Sequence, residues 1–239
     1  SRGCPLVMRL LVGKQARLLV VAAHADDEVL GAGGTLARAQ GAGADLHIVV
    51  CSHSVESRRL DPDAGVRARS DREVAAHEAA SRLGAASTLL DLPDNDFESV
   101  PLIELIRSLE QVIVEFRPSV VLTHNASDLS RDHELVNRAV LTAARPVPGG
   151  PASVLAFEVR SATDWAMGMV EQFVPSVWVA LDADAWQTKV DLLDVYADEM
   201  RPWPHARSPE GLDALARYRG SQVGFERAEA FALQRLVVS

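Results

Sequence analysis

Hydrophobic positions along the chain follow two alternating rhythms: short apolar runs of strand length, and longer stretches in which apolar residues recur at helical spacing. The first run, Arg17-Leu18-Leu19-Val20-Val21-Ala22-Ala23, predicts a strand over about 17–23 and stops abruptly at charged residues. A helix over about 27–40 follows, ended by Gly41 and Gly43. Asp45 to Cys51 reads as a second strand, an Ala-rich helix ends at Leu83-Gly84, and Thr88 to Leu92 reads as a short third strand before Pro93-Asp94-Asn95-Asp96. In Leu102 to Phe116 the residues Leu105, Ile106, Leu109 and Ile113 build one apolar face of a helix. Ser119 to Thr123 is a fourth strand and Asp132 to Ala144 a further helix, after which the prolines at 146, 148 and 151 forbid continuation. Beyond them, Val154 to Val159 and Val174 to Leu181 read as strands, and Ala185 to Met200 and Pro209 to Arg219 as helices.

Repeated strand-then-helix order implies right-handed crossovers and a Rossmann-like α/β fold, a mostly parallel sheet covered by helices on both faces. The expectation is one domain over 1–239, with an α/β core at about 15–150 and a C-terminal extension at about 151–239 that walls the site. Composition narrows the partners. The 239 residues are 48% hydrophobic and carry 33 acidic against 24 basic residues, a net charge of −9. That balance argues against nucleic acid and anionic membranes, whose phosphates need clustered Lys and Arg. No run approaches the roughly 20 apolar residues that span a bilayer. Two cysteines, Cys4 and Cys51, make neither a disulfide framework nor a thiolate metal site. A cytoplasmic protein with a small-molecule partner is expected, with a homo-oligomer left open.

In a parallel α/β sheet, ligands bind beyond the carboxyl ends of the strands. There the sequence places His24, Asp26 and Asp27 after strand one, Asp94 after strand three, and His124, Asp128, Asp132 and His133 after strand four. Carboxylates packed this tightly must be solvated, paired or bound to a cation. His24, Asp27 and His133 supply two imidazoles and one carboxylate, which leave a coordination position open as in a catalytic zinc site; Fe²⁺ suits the same set. The bland alternative is a helix start at which Asp26, Asp27 and Glu28 favour the positive end of the dipole. Gly31-Ala32-Gly33-Gly34 does not complete a dinucleotide fingerprint, because Leu36 stands where its third glycine belongs.

The stretch Ala23-His24-Ala25-Asp26-Asp27-Glu28 resembles the A-H-P-D-D-E signature of the PIG-L/LmbE-like metal-dependent N-deacetylases, with Ala25 in place of the usual Pro. Val121-Leu122-Thr123-His124 followed by Asp128 to His133 is similar to the family's strand-loop-Asp-His segment. The segment Ser52 to Arg58, and the segment Pro204-His205-Ala206-Arg207-Ser208 of a sugar-modifying branch, resemble it more loosely. The resemblance implies that His24, Asp27 and His133 bind zinc, that a water on the ion is the nucleophile, and that Asp26 is its general base. It also implies that Arg58 faces the acyl group. Asp94, Asp128, Trp203 and Arg207 are the candidates for holding substrate. Trp165 and Trp203 suit either a pyranose face or a core.

One departure changes the expected proton path. Relatives carry a histidine where this chain has Ser130, so the proton donor to the leaving amine is sought in His124 or His205, with Asp26 itself able to return the proton. The reading is a zinc-dependent hydrolase that removes an N-acetyl group from an N-acetylated amino sugar or its conjugate. Its rivals are an amidase acting on a larger acyl amide of a thiol or antibiotic conjugate, and a metal-binding, catalytically silent sugar-binding protein.

Overall fold

The computed structural model describes residues 11–53, 62–169 and 171–237. Arg58, expected at the acyl group, lies outside them. Seven strands form one sheet: β1 (Arg17–His24), β2 (Asp45–Ser52), β3 (Ala86–Leu89), β4 (Val120–His124), β5 (Ser153–Phe157), β6 (Val177–Leu181) and β7 (Arg227–Leu236). Their order is β3-β2-β1-β4-β5-β7-β6, all parallel except β7, which pairs antiparallel with β5 and β6. The chain winds outward from β1 to β2 and β3 on one side and to β4 and β5 on the other. A crevice therefore opens between the ends of β1 and β4, where the connections part in opposite directions.

Alternation along β1 explains why both faces are covered. Leu18 and Val20 enter one buried cluster, with Leu36, Ile48 and Leu192; Leu19, Val21 and Ala23 enter another, with Leu105, Leu109, Val136 and Val140. The first cluster is roofed by α1 (Asp27–Gly41), α2 (Pro62–Arg82) and α5 (Ala183–Leu193), the second by α3 (Leu102–Phe116) and α4 (Arg131–Ala143). The remaining helix, α6 (Pro209–Ser221), starts at Ser208, whose hydroxyl accepts from the Gly211 amide. Among the described residues no helix is long and apolar enough to cross a membrane.

Three elements depart from the expected pattern. The third strand sits earlier, at Ala86–Leu89, because only there does the chain run beside β2, from His47↔Ala86 to Val50↔Leu89. The helix expected over 185–200 is α5 followed by a 3₁₀ segment, Asp194–Glu199, with a kink at Tyr196, whose buried hydroxyl donates to Glu28 at 2.6 Å. Strand β7 was not read from the pattern at all. It carries buried Glu229 on an otherwise apolar stretch, and that carboxylate is satisfied only by distant partners: Lys189 Nζ at 2.6 Å, the Gly34 and Thr35 amides, and the Thr35 hydroxyl.

Candidate active site

The turn from β1 into α1 does most of the positioning. Asp26, at the helix start, holds φ 131°, a value rare outside glycine and costing about 1–3 kcal/mol. That backbone turns the carboxylates of Asp26 and Asp27 to different sides. Asp27 is fully buried, and its Oδ2 lies 3.3 Å from His24 Nδ1, 3.3 Å from His133 Nε2 and 3.4 Å from His124 Nε2. The second nitrogen of each outer imidazole is held by a carboxylate: His24 Nε2 by Asp132 at 3.0 Å and His133 Nδ1 by Asp128 at 2.9 Å. Asp128 is fixed in turn by the Thr163 hydroxyl at 2.6 Å, and Asp132 by the Phe97 amide at 3.2 Å.

These contacts test whether a divalent cation suits the residues, and it does. One nitrogen of His24, one of His133 and one oxygen of Asp27 converge within 4.8 Å of one another, while the outer nitrogens are oriented as metal-binding histidines require. Asp27 Oδ1 is buried with no hydrogen-bond partner among the described residues. The electrostatics agree. Burial pulls the His24 imidazole down, but hydrogen bonds to Asp132 and Asp27 outweigh it and push its pKa up to about 10. His133 is raised too, burial being overcome by Asp27 and Asp128, and Asp27 is held well below the usual carboxylate range chiefly by His133 despite its burial. The cage calls for positive charge.

Beside the cluster opens a cavity of about 330 Å³. Asp26 lines it, buried, its Oδ2 accepting from Arg207 Nη1 at 2.7 Å. Burial pushes the Asp26 carboxyl up to about 6 although Arg207 pulls it down. The guanidinium is itself fixed, with Nε on the Ser161 hydroxyl at 2.9 Å and a carboxylate oxygen of Glu199 at 3.9 Å, and Glu199 pairs with buried Arg72. Glu28, expected either to serve the helix dipole or to hydrogen-bond a ligand residue, accepts from the Tyr196 hydroxyl and from the Asp26 amide, so it braces the strained turn. Its carboxyl is pushed up to about 7 by burial.

Of the other expected site residues, Asp94 lines the cavity, its Oδ1 3.5 Å from His24 Nε2. Four placements need correction. Asp128, expected to hold substrate, sits behind His133. His124, expected as a proton donor, is wholly buried: its Nε2 accepts from the Ala23 amide at 2.8 Å, its ring stacks on His133 at 3.8 Å, and burial with neighbouring His133 keeps it neutral. His205 is not among the cavity-lining residues; its Nδ1 accepts from the Arg207 amide at 3.0 Å, which helps hold that arginine. Trp203 is 63% exposed and does not line the cavity, whereas Trp165 does. Sequence reasoning brought Asp132 to the rim without giving it a role and passed over Glu199, Tyr196 and Phe157, because nothing local in the chain marks which distant side chain they will meet.

Fold and cluster together define the class: a Rossmann-like α/β enzyme with a histidine-carboxylate cluster at the switch point of its sheet. The PIG-L family model, described as GlcNAc-PI de-N-acetylase, matches residues 19–144, and the chain belongs to that family. It is 29% identical over 199 residues, 68% of this chain and 67% of the relative, to the 1D-myo-inositol 2-acetamido-2-deoxy-alpha-D-glucopyranoside deacetylase of Rhodococcus erythropolis PR4. Among solved structures it resembles the 4-carboxy-2-hydroxymuconate hydratase of Pseudomonas putida KT2440, with TM-score 0.76 and 22% identity over 94% of this chain and 98% of that one. It also resembles the N,N'-diacetylchitobiose deacetylase of Pyrococcus horikoshii, with TM-score 0.74 and 16% identity over 92% of this chain and 84% of that one. At such identities these two likenesses establish the fold. Because one is a hydratase, activity has to be argued from the site.

Proposed function

We propose that this chain is a zinc-dependent N-deacetylase that hydrolyses the acetamide of an N-acetylated amino sugar or its conjugate, releasing acetate and a free amine. The observation that carries the reading is Asp27 Oδ2, equidistant at 3.3 Å from one nitrogen of each of two carboxylate-oriented imidazoles, next to a second carboxylate that faces a cavity. His24, Asp27 and His133 would hold the ion; when bound it supplies Lewis acidity toward the amide oxygen and an acidified water at neutral pH. The same donors suit Fe²⁺.

The chain's own groups supply the rest. Asp26 takes the proton of the attacking water; a carboxyl near 6 is suited to accept it and to return it to the departing amine. In this reading the return by Asp26 fills the role that serine at position 130 leaves open; among the described residues, neither His124 nor His205 lines the cavity. Arg207 holds the Asp26 carboxylate in place, and Asp94 offers a hydrogen-bond acceptor to sugar hydroxyls. Family membership and the deacetylase named among the relatives support hydrolysis over hydration. Residues from 151 onward, including Ser161, Trp165, Glu199 and Arg207, wall the cavity in this reading and make the C-terminal extension part of one catalytic unit.

Metal content of the purified protein, followed by acetate release from a panel of N-acetylhexosamine conjugates, tests this reading. Asp26→Asn is expected to keep its metal and lose about 10²–10⁴-fold in kcat. A wild-type rate in that variant would remove Asp26 from the mechanism, and bound metal without acetate release from any substrate would favour a binding protein.

A further inference from the structure

The cavity lining is mixed. His24, Asp26, Asp94, His133, Glu199 and Arg207 bring titratable groups, Asn95, Ser130 and Ser161 neutral polar ones, and Leu129, Ala162 and Trp165 apolar surface. The apolar residues are joined, because the Leu129 amide donates to the Ala162 carbonyl at 3.1 Å and Trp165 follows in the next turn. They also lead outward. Leu129 is 57% exposed and Trp165 49%, although both line the cavity, and Met167 and Met169 stand exposed further along the same loop. Lone exposed hydrophobic residues are ordinary, but a run of large ones beginning inside a polar site marks a binding surface.

Size separates what enters from what stays out. At about 330 Å³ the cavity is at the small end of the ~300–1,000 Å³ usual for small-molecule sites, so it takes little more than one sugar ring. With the acetamide toward the cluster and hydroxyls toward the polar groups, the group on the anomeric carbon leaves along the exposed apolar residues. An alkyl or aryl aglycone there gains apolar burial against Leu129 and Trp165 that a polyhydroxylated one does not.

We infer that the substrate is an N-acetylated amino sugar whose aglycone is an alkyl or aryl group, received by the ledge of Leu129, Ala162 and Trp165. This rests on the deacetylase reading above and narrows it.

The test is acetate release from a matched set of N-acetylglucosaminides with methyl, hexyl, phenyl, inositol and second-hexose aglycones. The wild-type protein is expected to show at least tenfold higher kcat/KM for hexyl and phenyl than for methyl, chiefly through KM, the mark of binding shared by ground and transition states. Trp165→Ala and Leu129→Ala should bring the hexyl-to-methyl ratio close to one, and Trp165→Phe should retain most of it. Equal kcat/KM across aglycones, a preference for the inositol or hexose members, or a hexyl-to-methyl ratio unchanged in both alanine variants would overturn the inference. Should no member be hydrolysed, the deacetylase reading fails on its own. Binding of hexyl against methyl glucosaminide, the free amines, then decides the ledge: tenfold tighter binding of hexyl upholds it and equal binding refutes it.

Discussion

In the proposed zinc site His133 could serve as a ligand only while its ring is held with Nε2 toward Asp27, and Asp128 does the holding. The carboxylate accepts from Nδ1 at 2.9 Å and is pinned by Thr163 from the C-terminal third of the chain. Partners of this kind typically contribute 10–100-fold to metal affinity. Asp128→Asn should therefore weaken zinc by about that factor in a chelator competition, and activity at saturating zinc should recover in part. Unchanged affinity would mean that the ring is fixed by its stack on His124 alone. Asp128 also marks the limit of what the sequence discloses at this scale. Its position after the fourth strand brought it to the correct rim, but residue type could not say whether it faces substrate or turns back onto a histidine. His124 failed for the same reason: a histidine at the end of a strand can point outward or be buried, and the Ala23 amide that captures its Nε2 lies 101 residues away in the chain.

Helix α1 is the element on which the site depends, and its glycines have a packing role. A Cβ on Gly31 would lie 2.3 Å from Phe157 Cδ2, and one on Gly34 would lie 2.6 Å from Leu181 Cδ1. The helix thus lies close against β5 and β6, with Phe157 touching His124 at 4.8 Å and His124 stacked under His133. Gly31→Ala should push Phe157 into that stack and cost about 1–3 kcal/mol, read as a lower Tm together with weaker zinc binding. Phe157→Leu in the same chain should restore part of both, giving a coupling well above the error of additivity. Independent effects of the two substitutions would dismiss the contact. Elements with a clean period, such as β1, α3 and α4, were legible because burial enforces their pattern. Strand β7 was not, since Glu229 breaks the pattern and becomes tolerable only after Lys189 and the amides of α1 arrive from elsewhere in the chain.

For the whole molecule, a cation in the proposed site would tie together segments that the chain keeps far apart. His24 and Asp27 flank the turn from β1 to α1, whereas His133 opens α4 across the switch point, so such an ion would link the two cores on either face of the sheet. Zinc at 100 times its dissociation constant stabilises by about 2.7 kcal/mol. At roughly 2–4 °C per kcal/mol for a chain of this size, chelation should lower Tm by about 5–10 °C, reversibly on adding zinc back. The size of that gap should depend on pH. In the metal-free protein the His24 pKa is about 10 against an ordinary 6.5, so the folded state holds this proton more tightly than the unfolded one. The stabilisation is complete below about pH 6.5 and is lost as pH climbs through 10. Zinc competes with the same proton, hence its affinity rises over that interval while the metal-free protein weakens. The Tm difference between zinc-loaded and chelated protein should therefore widen steadily from pH 6.5 to 9. A difference that stayed constant or narrowed would mean that His24 is not a ligand to the ion.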